Sequence, residues 1–172
     1  ANIDPNQHEL ILTSDRWGPL HKAVEENQLE KVKFFWDIMS PEKRFELLSD
    51  NTFNMFRSAC GKGGNEIINL FWTYSEPKER DAILERAYYD GFIQAASLGC
   101  VETVKFFWNF MPDLRSKLLS YTDYAVFHAI VCTKQLSIMR FLWENSTKDH
   151  HELMLASGNY NAYRQAPSLE IE

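Results

Sequence analysis

The chain is predicted to fold as an all-α array of stacked helix pairs, and three observations predict it. Four of the five tryptophans close near-identical segments: Lys33-Phe34-Phe35-Trp36, Asn69-Leu70-Phe71-Trp72, Lys105-Phe106-Phe107-Trp108 and Arg140-Phe141-Leu142-Trp143. They stand at steps of 36, 36 and 35 residues. Pro5, Pro41, Pro77 and Pro112 keep the same steps, each 15 residues before the first apolar residue of a helix pair: Leu20, Phe56, Phe92 and Phe127. Paired aliphatics follow in register: Ile11-Leu12, Leu47-Leu48, Ile83-Leu84 and Leu118-Leu119. A fixed period of this kind marks copies that bury a continuous core only by stacking, and that offer extended surfaces to other macromolecules.

Each element follows from its residues. Residues 1–19 carry the third-helix pattern of a partial copy, full copies span 20–55, 56–91, 92–126 and 127–162, and a partial copy occupies 163–172. In that last stretch Tyr163-Arg164-Gln165-Ala166 matches Phe56-Arg57-Ser58-Ala59 before Pro167 stops it. Within the first full copy, Leu20, Ala23 and Val24 form one helical stripe. Glu25 to Gln28 is a polar break, and Leu29, Val32, Phe35 and Trp36 form a second stripe. Pro41, tolerated at a first helical position, opens a third short helix with Phe45, Leu47 and Leu48 as its apolar contacts. Asn54 and Asp90, just before later helices, read as N-caps. The one-residue deficit of the third copy falls between Trp108 and Pro112, in a connection. Helices of roughly 8 to 12 residues are marginal alone, so the copies are expected to act as a single domain over residues 1–172.

Composition narrows the function. With 24 acidic against 18 basic side chains the net charge is −6, and no Lys/Arg block provides a footprint for nucleic acid. No apolar run reaches the roughly 18 residues of a membrane span, and the N-terminus lacks a signal-peptide pattern. Cys60, Cys100 and Cys132 are odd in number and widely spaced, which suits reduced thiols in a cytosol-like compartment. Asn145-Ser146-Thr147 matches a glycosylation acceptor that would matter only in a secreted protein.

Two motifs suggest chemistry and yield to structural readings. Gly61-Lys62-Gly63-Gly64-Asn65 resembles a phosphate loop, but no strand precedes it and Asn65 is not the required Ser/Thr; in register it is a helix-to-helix turn. His21 and His128 share one repeat position without convergent partners, and adjacent His150-His151 point to different helical faces. No nucleophile, base and orienter emerge as a set, so a non-enzymatic protein without metal or cofactor is expected.

At this point the residues resemble the ankyrin repeat. Gly18-Pro19-Leu20-His21-Lys22-Ala23 is close to the family's Thr-Pro-Leu-His-x-Ala start. Asn27-Gln28-Leu29-Glu30-Lys31-Val32 is similar to its Gly-His-Leu-Glu-x-Val continuation, and residues 95–105 are the cleanest copy. The resemblance covers four helix pairs. It implies a solenoid and a histidine that ties neighbouring loops. Family repeats run about 33 residues; here the extra length falls in residues 41–51 and their equivalents, helical in pattern where the family has a β-hairpin. The expectation is an ankyrin-like, nearly all-helical solenoid of about four repeats with few or no β-hairpins. Aromatic-rich repeats of this kind look similar to those in effectors of intracellular bacteria or viruses, which implies a host-cell cytoplasm.

The resemblance also implies a concave, partner-binding face. It would carry the aromatics three residues before each helix pair, Trp17, Phe53, Tyr89, Tyr124 and Tyr160, together with the ends of the first helices. Those ends are Glu25 and Glu26, Gly61 and Lys62, Ser97 and Leu98, and Cys132 and Thr133. They vary while the apolar frame does not, which is how a repeat array encodes partner choice. The competing reading packs the aromatics against the third helices. The leading expectation is therefore a monomeric protein-interaction module, the repeat region of a larger effector or adaptor, since both ends fall inside a period. Two alternatives stand beside it: a small enzyme or ligand-binding protein with a cleft, and a self-assembling structural repeat protein.

Overall fold

A computed structural model of the chain describes residues 17–49 and 54–156. Among these residues there are eleven α-helices and no strand. The predicted all-α class holds, and the β-hairpin that the family would place between helix pairs is missing from the described connections. Contacts cluster into two compact units, residues 1–91 and 92–172, and the division falls between the second and third full repeats.

In the first unit, α1 (Gly18–Glu25) buries Leu20, Ala23 and Val24, and α2 (Leu29–Ile38) buries Val32 and Trp36. Helix α3 (Pro41–Ser49) starts on its proline. The next copy repeats the pattern. Helix α4 (Asn54–Gly61) buries Met55, Phe56, Ala59 and Cys60, and α5 (Asn65–Tyr74) buries Ile67, Ile68, Leu70 and Phe71. First helices pack on first helices and second on second, α1 on α4 and α2 on α5. In the latter contact the Trp36 and Phe71 rings lie 4.7 Å apart. Helix α6 (Pro77–Ile83) also starts on its proline, and the Glu79 carboxylate accepts the Glu76 N–H at 2.7 Å, one half of a capping box. A π-helical turn, Leu84–Tyr88, then leads without a break into α7 (Tyr89–Ser97). Asp90 therefore lies inside continuous helix and is not an N-cap. Its carboxylate faces Arg57 at 3.7 Å instead.

The second unit continues with α8 (Val101–Phe110), a 3₁₀ turn at Pro112–Leu114, and α9 (Arg115–Cys132). It ends with α10 (Leu136–Glu144) and α11 (Lys148–Ala156). The one-residue deficit is absorbed where the sequence places it: Met111 alone separates α8 from Pro112, and the third segment opens as 3₁₀ rather than α. Helix α9 fuses a third segment to the next first helix across a kink. There Tyr121 is extended, and Thr122, Asp123 and Tyr124 have φ of 50°, 54° and 61°. Three consecutive left-handed residues without a glycine are costly, so burial and side-chain bonds around Tyr124 must hold them. Phe92 and Phe107, with ring centroids 6.0 Å apart, and Trp108 and Phe141, at 6.1 Å, join its helices.

Four turns between first and second helices share one backbone. Asn27, Gly63, Gly99 and Lys134 all have positive φ, between 52° and 78°. The residue after each returns its N–H to a carbonyl five back: Gln28 to Ala23, Gly64 to Ala59, Cys100 to Ala95 and Gln135 to Ile130, at 2.8–2.9 Å. This is a Schellman cap, and it satisfies the terminal carbonyls of each first helix. The glycine cluster at 61–64 is thus a helix-to-helix turn, as its register predicts. Lys134 stands where two copies use glycine, so Lys134→Gly is expected to stabilise the protein by about 0.5–1 kcal/mol, because a side chain in the left-handed region carries a steric cost. Urea denaturation of the two proteins measures it, and an unchanged midpoint would count against that strain.

Each tryptophan at the end of a second helix is held by a side chain from the following segment. Arg44, Arg80 and Arg115 donate Nε–H to the carbonyls of Trp36, Trp72 and Trp108 at 2.8, 3.0 and 2.8 Å. The same guanidiniums lie 6.0, 5.7 and 5.4 Å from those indole centroids. In the fourth copy His151 takes the position, its Nε2 at 2.8 Å from the Trp143 carbonyl and its ring stacked on the indole at 3.8 Å. A cation at a helix C-terminus satisfies an orphan carbonyl and meets the negative end of the helix dipole, and over an indole it adds a cation–π attraction.

Candidate functional site

The described residues of the expected surface divide by burial. Trp17, Tyr89 and Tyr124 are 8%, 4% and 6% exposed, so a partner cannot reach them. This corrects their placement on a binding face: at these positions the aromatic rings are buried, as large apolar rings usually are. Trp17 and Tyr124 also share a left-handed backbone, φ 67° and 61°. Phe53 and Tyr160 lie outside the described residues. Trp36 and Trp108 are buried as expected, while Trp72 and Trp143 are half-buried under their clamps.

The first-helix ends keep their exposure. In the first unit Glu25, Glu26 and Lys62 are exposed and Gly61 is half-buried. Glu26 is met by Lys22 at 3.8 Å and by the Gln28 amide at 2.6 Å. In the second unit Leu98 is 55% exposed, Cys132 and Thr133 are exposed, and Ser97 is half-buried. Ser97 and Thr133 turn their hydroxyls back onto helix carbonyls, Gln94 at 3.0 Å and Ala129 at 2.8 Å. The Gln135 amide donates to the Ser97 carbonyl at 3.4 Å, linking one turn to the next, and a Cβ on Gly99 would lie 2.7 Å from its Oε1. The first-helix ends of 17–91 thus present charges, and those of 92–156 a leucine, a thiol and hydroxyls already spent on backbone.

Among the described residues, the bonding contacts of His128 stay within its own helix. Its ring nitrogens lie 3.8 Å from the sulfur of Cys132, one turn along the same helix. Adjacent His150 and His151 do diverge, the latter to Trp143. His150 enters a cluster that sequence spacing does not reveal: Nε2 lies 3.2 Å from the Ser116 hydroxyl and Nδ1 lies 3.0 Å from the Tyr124 hydroxyl. Burial, with a smaller contribution from the Asp123 carboxylate, raises the pKa of Tyr124, so its phenol stays protonated. Among the described residues no three His, Cys, Asp or Glu side chains gather to hold a metal ion, and no helix is long and apolar enough to cross a membrane.

Comparison with protein-family models, curated protein sequences and solved structures gives no match. The residues and their geometry carry the functional reading.

Proposed function

We propose that the chain is an ankyrin-like helical repeat protein that acts by binding another protein, without catalysis of its own, in a reducing compartment. One observation carries this reading. Four turns share the same left-handed Schellman backbone, yet the residues presented just before them differ in charge and polarity from copy to copy: Glu25 and Glu26, Gly61 and Lys62, Ser97 and Leu98, Cys132 and Thr133. Side chains free to vary on a backbone held constant are what partner selection requires. The deficit of positive charge argues for a protein partner over nucleic acid.

The test is affinity capture with two surface variants. Glu25→Lys with Lys62→Glu inverts charges in the first unit, and Leu98→Ser with Thr133→Ala alters the second. Exposed substitutions of this kind shift stability by about 0.5 kcal/mol or less, so helicity and melting should match the parent. A partner kept by the parent and lost by either variant is the expected result. Equal capture by all three proteins would sink this surface as the binding site.

A further inference from the structure

We propose that Ser116 is an activated nucleophile, held by His150 and Tyr124 as an acceptor for an acyl group from an activated ester. A serine hydroxyl is a weak nucleophile until an adjacent base takes its proton, and that base must be oriented by a third group. Two residues of α9 and one of α11 supply this order within the second unit. Ser116 is exposed on the first turn of α9, and its Oγ lies 3.2 Å from His150 Nε2. His150, on α11, is half-buried, with Nδ1 3.0 Å from the Tyr124 hydroxyl and the two rings edge-on at 6.0 Å.

Tyr124 is a positioning residue. Its side chain is buried and its backbone lies in the left-handed region at the kink in α9, so the hydroxyl is placed by the fold rather than by solvent. The 3.0 Å contact admits either imidazole tautomer, and the reaction uses the one in which Nδ1–H donates to a lone pair of the phenol oxygen. Nε2 then presents its lone pair to the Ser116 hydroxyl, the tautomer that general-base chemistry requires.

The step balances with an ester as the acyl donor. Ser116 Oγ attacks the carbonyl carbon while its proton passes to His150 Nε2. The bond from that carbon to the leaving oxygen then breaks. With p-nitrophenyl acetate, p-nitrophenolate departs, the acetyl group stays on Oγ, and His150 returns its proton to water.

Ser120, exposed one turn further along the same helix, is an internal control. The intact protein is treated with p-nitrophenyl acetate, and acetylation is followed serine by serine by mass spectrometry. Base assistance contributes about 10²–10⁴-fold, so Ser116 is expected to react at least ~10²-fold faster than Ser120. His150→Gln should lower Ser116 to the rate of Ser120. Tyr124→Phe should give an intermediate rate at Ser116 and none of the rise at Ser120 that loosened structure would cause. Equal rates at the two serines of the unsubstituted protein would overturn the proposal, and that comparison needs no variant to fold. So would undiminished labelling of Ser116 in a His150→Gln protein that melts like the parent. Either result leaves the interaction reading untouched, since the first-helix ends are separate residues.

Discussion

Phe71→Ala is expected to destabilise the protein by about 3–5 kcal/mol, the range for truncating a fully buried aromatic side chain. Phe71 has no exposed surface, and its ring meets Trp36 of the preceding copy at 4.7 Å. The substitution therefore removes apolar contact between two second helices as well as within one. Phe34 supplies the contrast: two residues before Trp36, it is 56% exposed. Its replacement by alanine should change stability by about 0.5 kcal/mol or less. Chemical denaturation of both variants checks the pair, and similar losses would contradict the assignment of inner and outer faces on these helices.

Gly91→Ala is expected to cost about 1–3 kcal/mol through overpacking. A Cβ at this position would stand 2.7 Å from Cys60 Sγ and 3.3 Å from a Phe56 ring carbon, and both neighbours are fully buried. The backbone of Gly91 lies inside α7, so the obstacle is space rather than dihedral angle. Adding Cys60→Ala removes the nearest atom. The double variant should recover about 0.5–3 kcal/mol relative to additivity, since directly touching residues couple in that range. Additive losses would show that the helix shifts away instead of pressing on the sulfur.

The order of helices was legible because its markers are local. Tryptophan ends each second stripe, proline opens each third segment, and the Gly61 cluster falls on a turn; these depend on residues only a few positions apart. The fate of Trp17, Tyr89 and Tyr124 was not legible. Periodicity says that they share a place in the repeat, while burial depends on which segment closes over that place. Asp90 misled for a related reason: a short polar residue before an apolar stripe reads as a cap, but the π-helical turn carries the helix through it. No glycine or asparagine at 121–124 signals the left-handed kink. The Ser116–His150–Tyr124 cluster joins residues 34 and 26 positions apart, a tertiary fact without a local signature. The arginines were within reach. Arg44, Arg80 and Arg115 each stand three residues after a proline of the period, although their hold on a tryptophan carbonyl eight or seven residues back emerges only in three dimensions.

That hold bears on where the chain tolerates changes of length. From tryptophan to clamping side chain the copies count 8, 8, 7 and 8 residues, yet the bond to the carbonyl stays within 2.8–3.0 Å. A long guanidinium acts as a strut of adjustable reach, and the third copy drops its residue from the connection, where Met111 alone precedes the 3₁₀ turn at Pro112. The Schellman turns have no such slack, because their bonds run from backbone to backbone over a fixed count. Gain and loss of single residues should therefore accumulate at the tryptophan-to-proline joints and be purged from the tight turns, so that the repeat keeps time by its backbone and absorbs drift through its side chains.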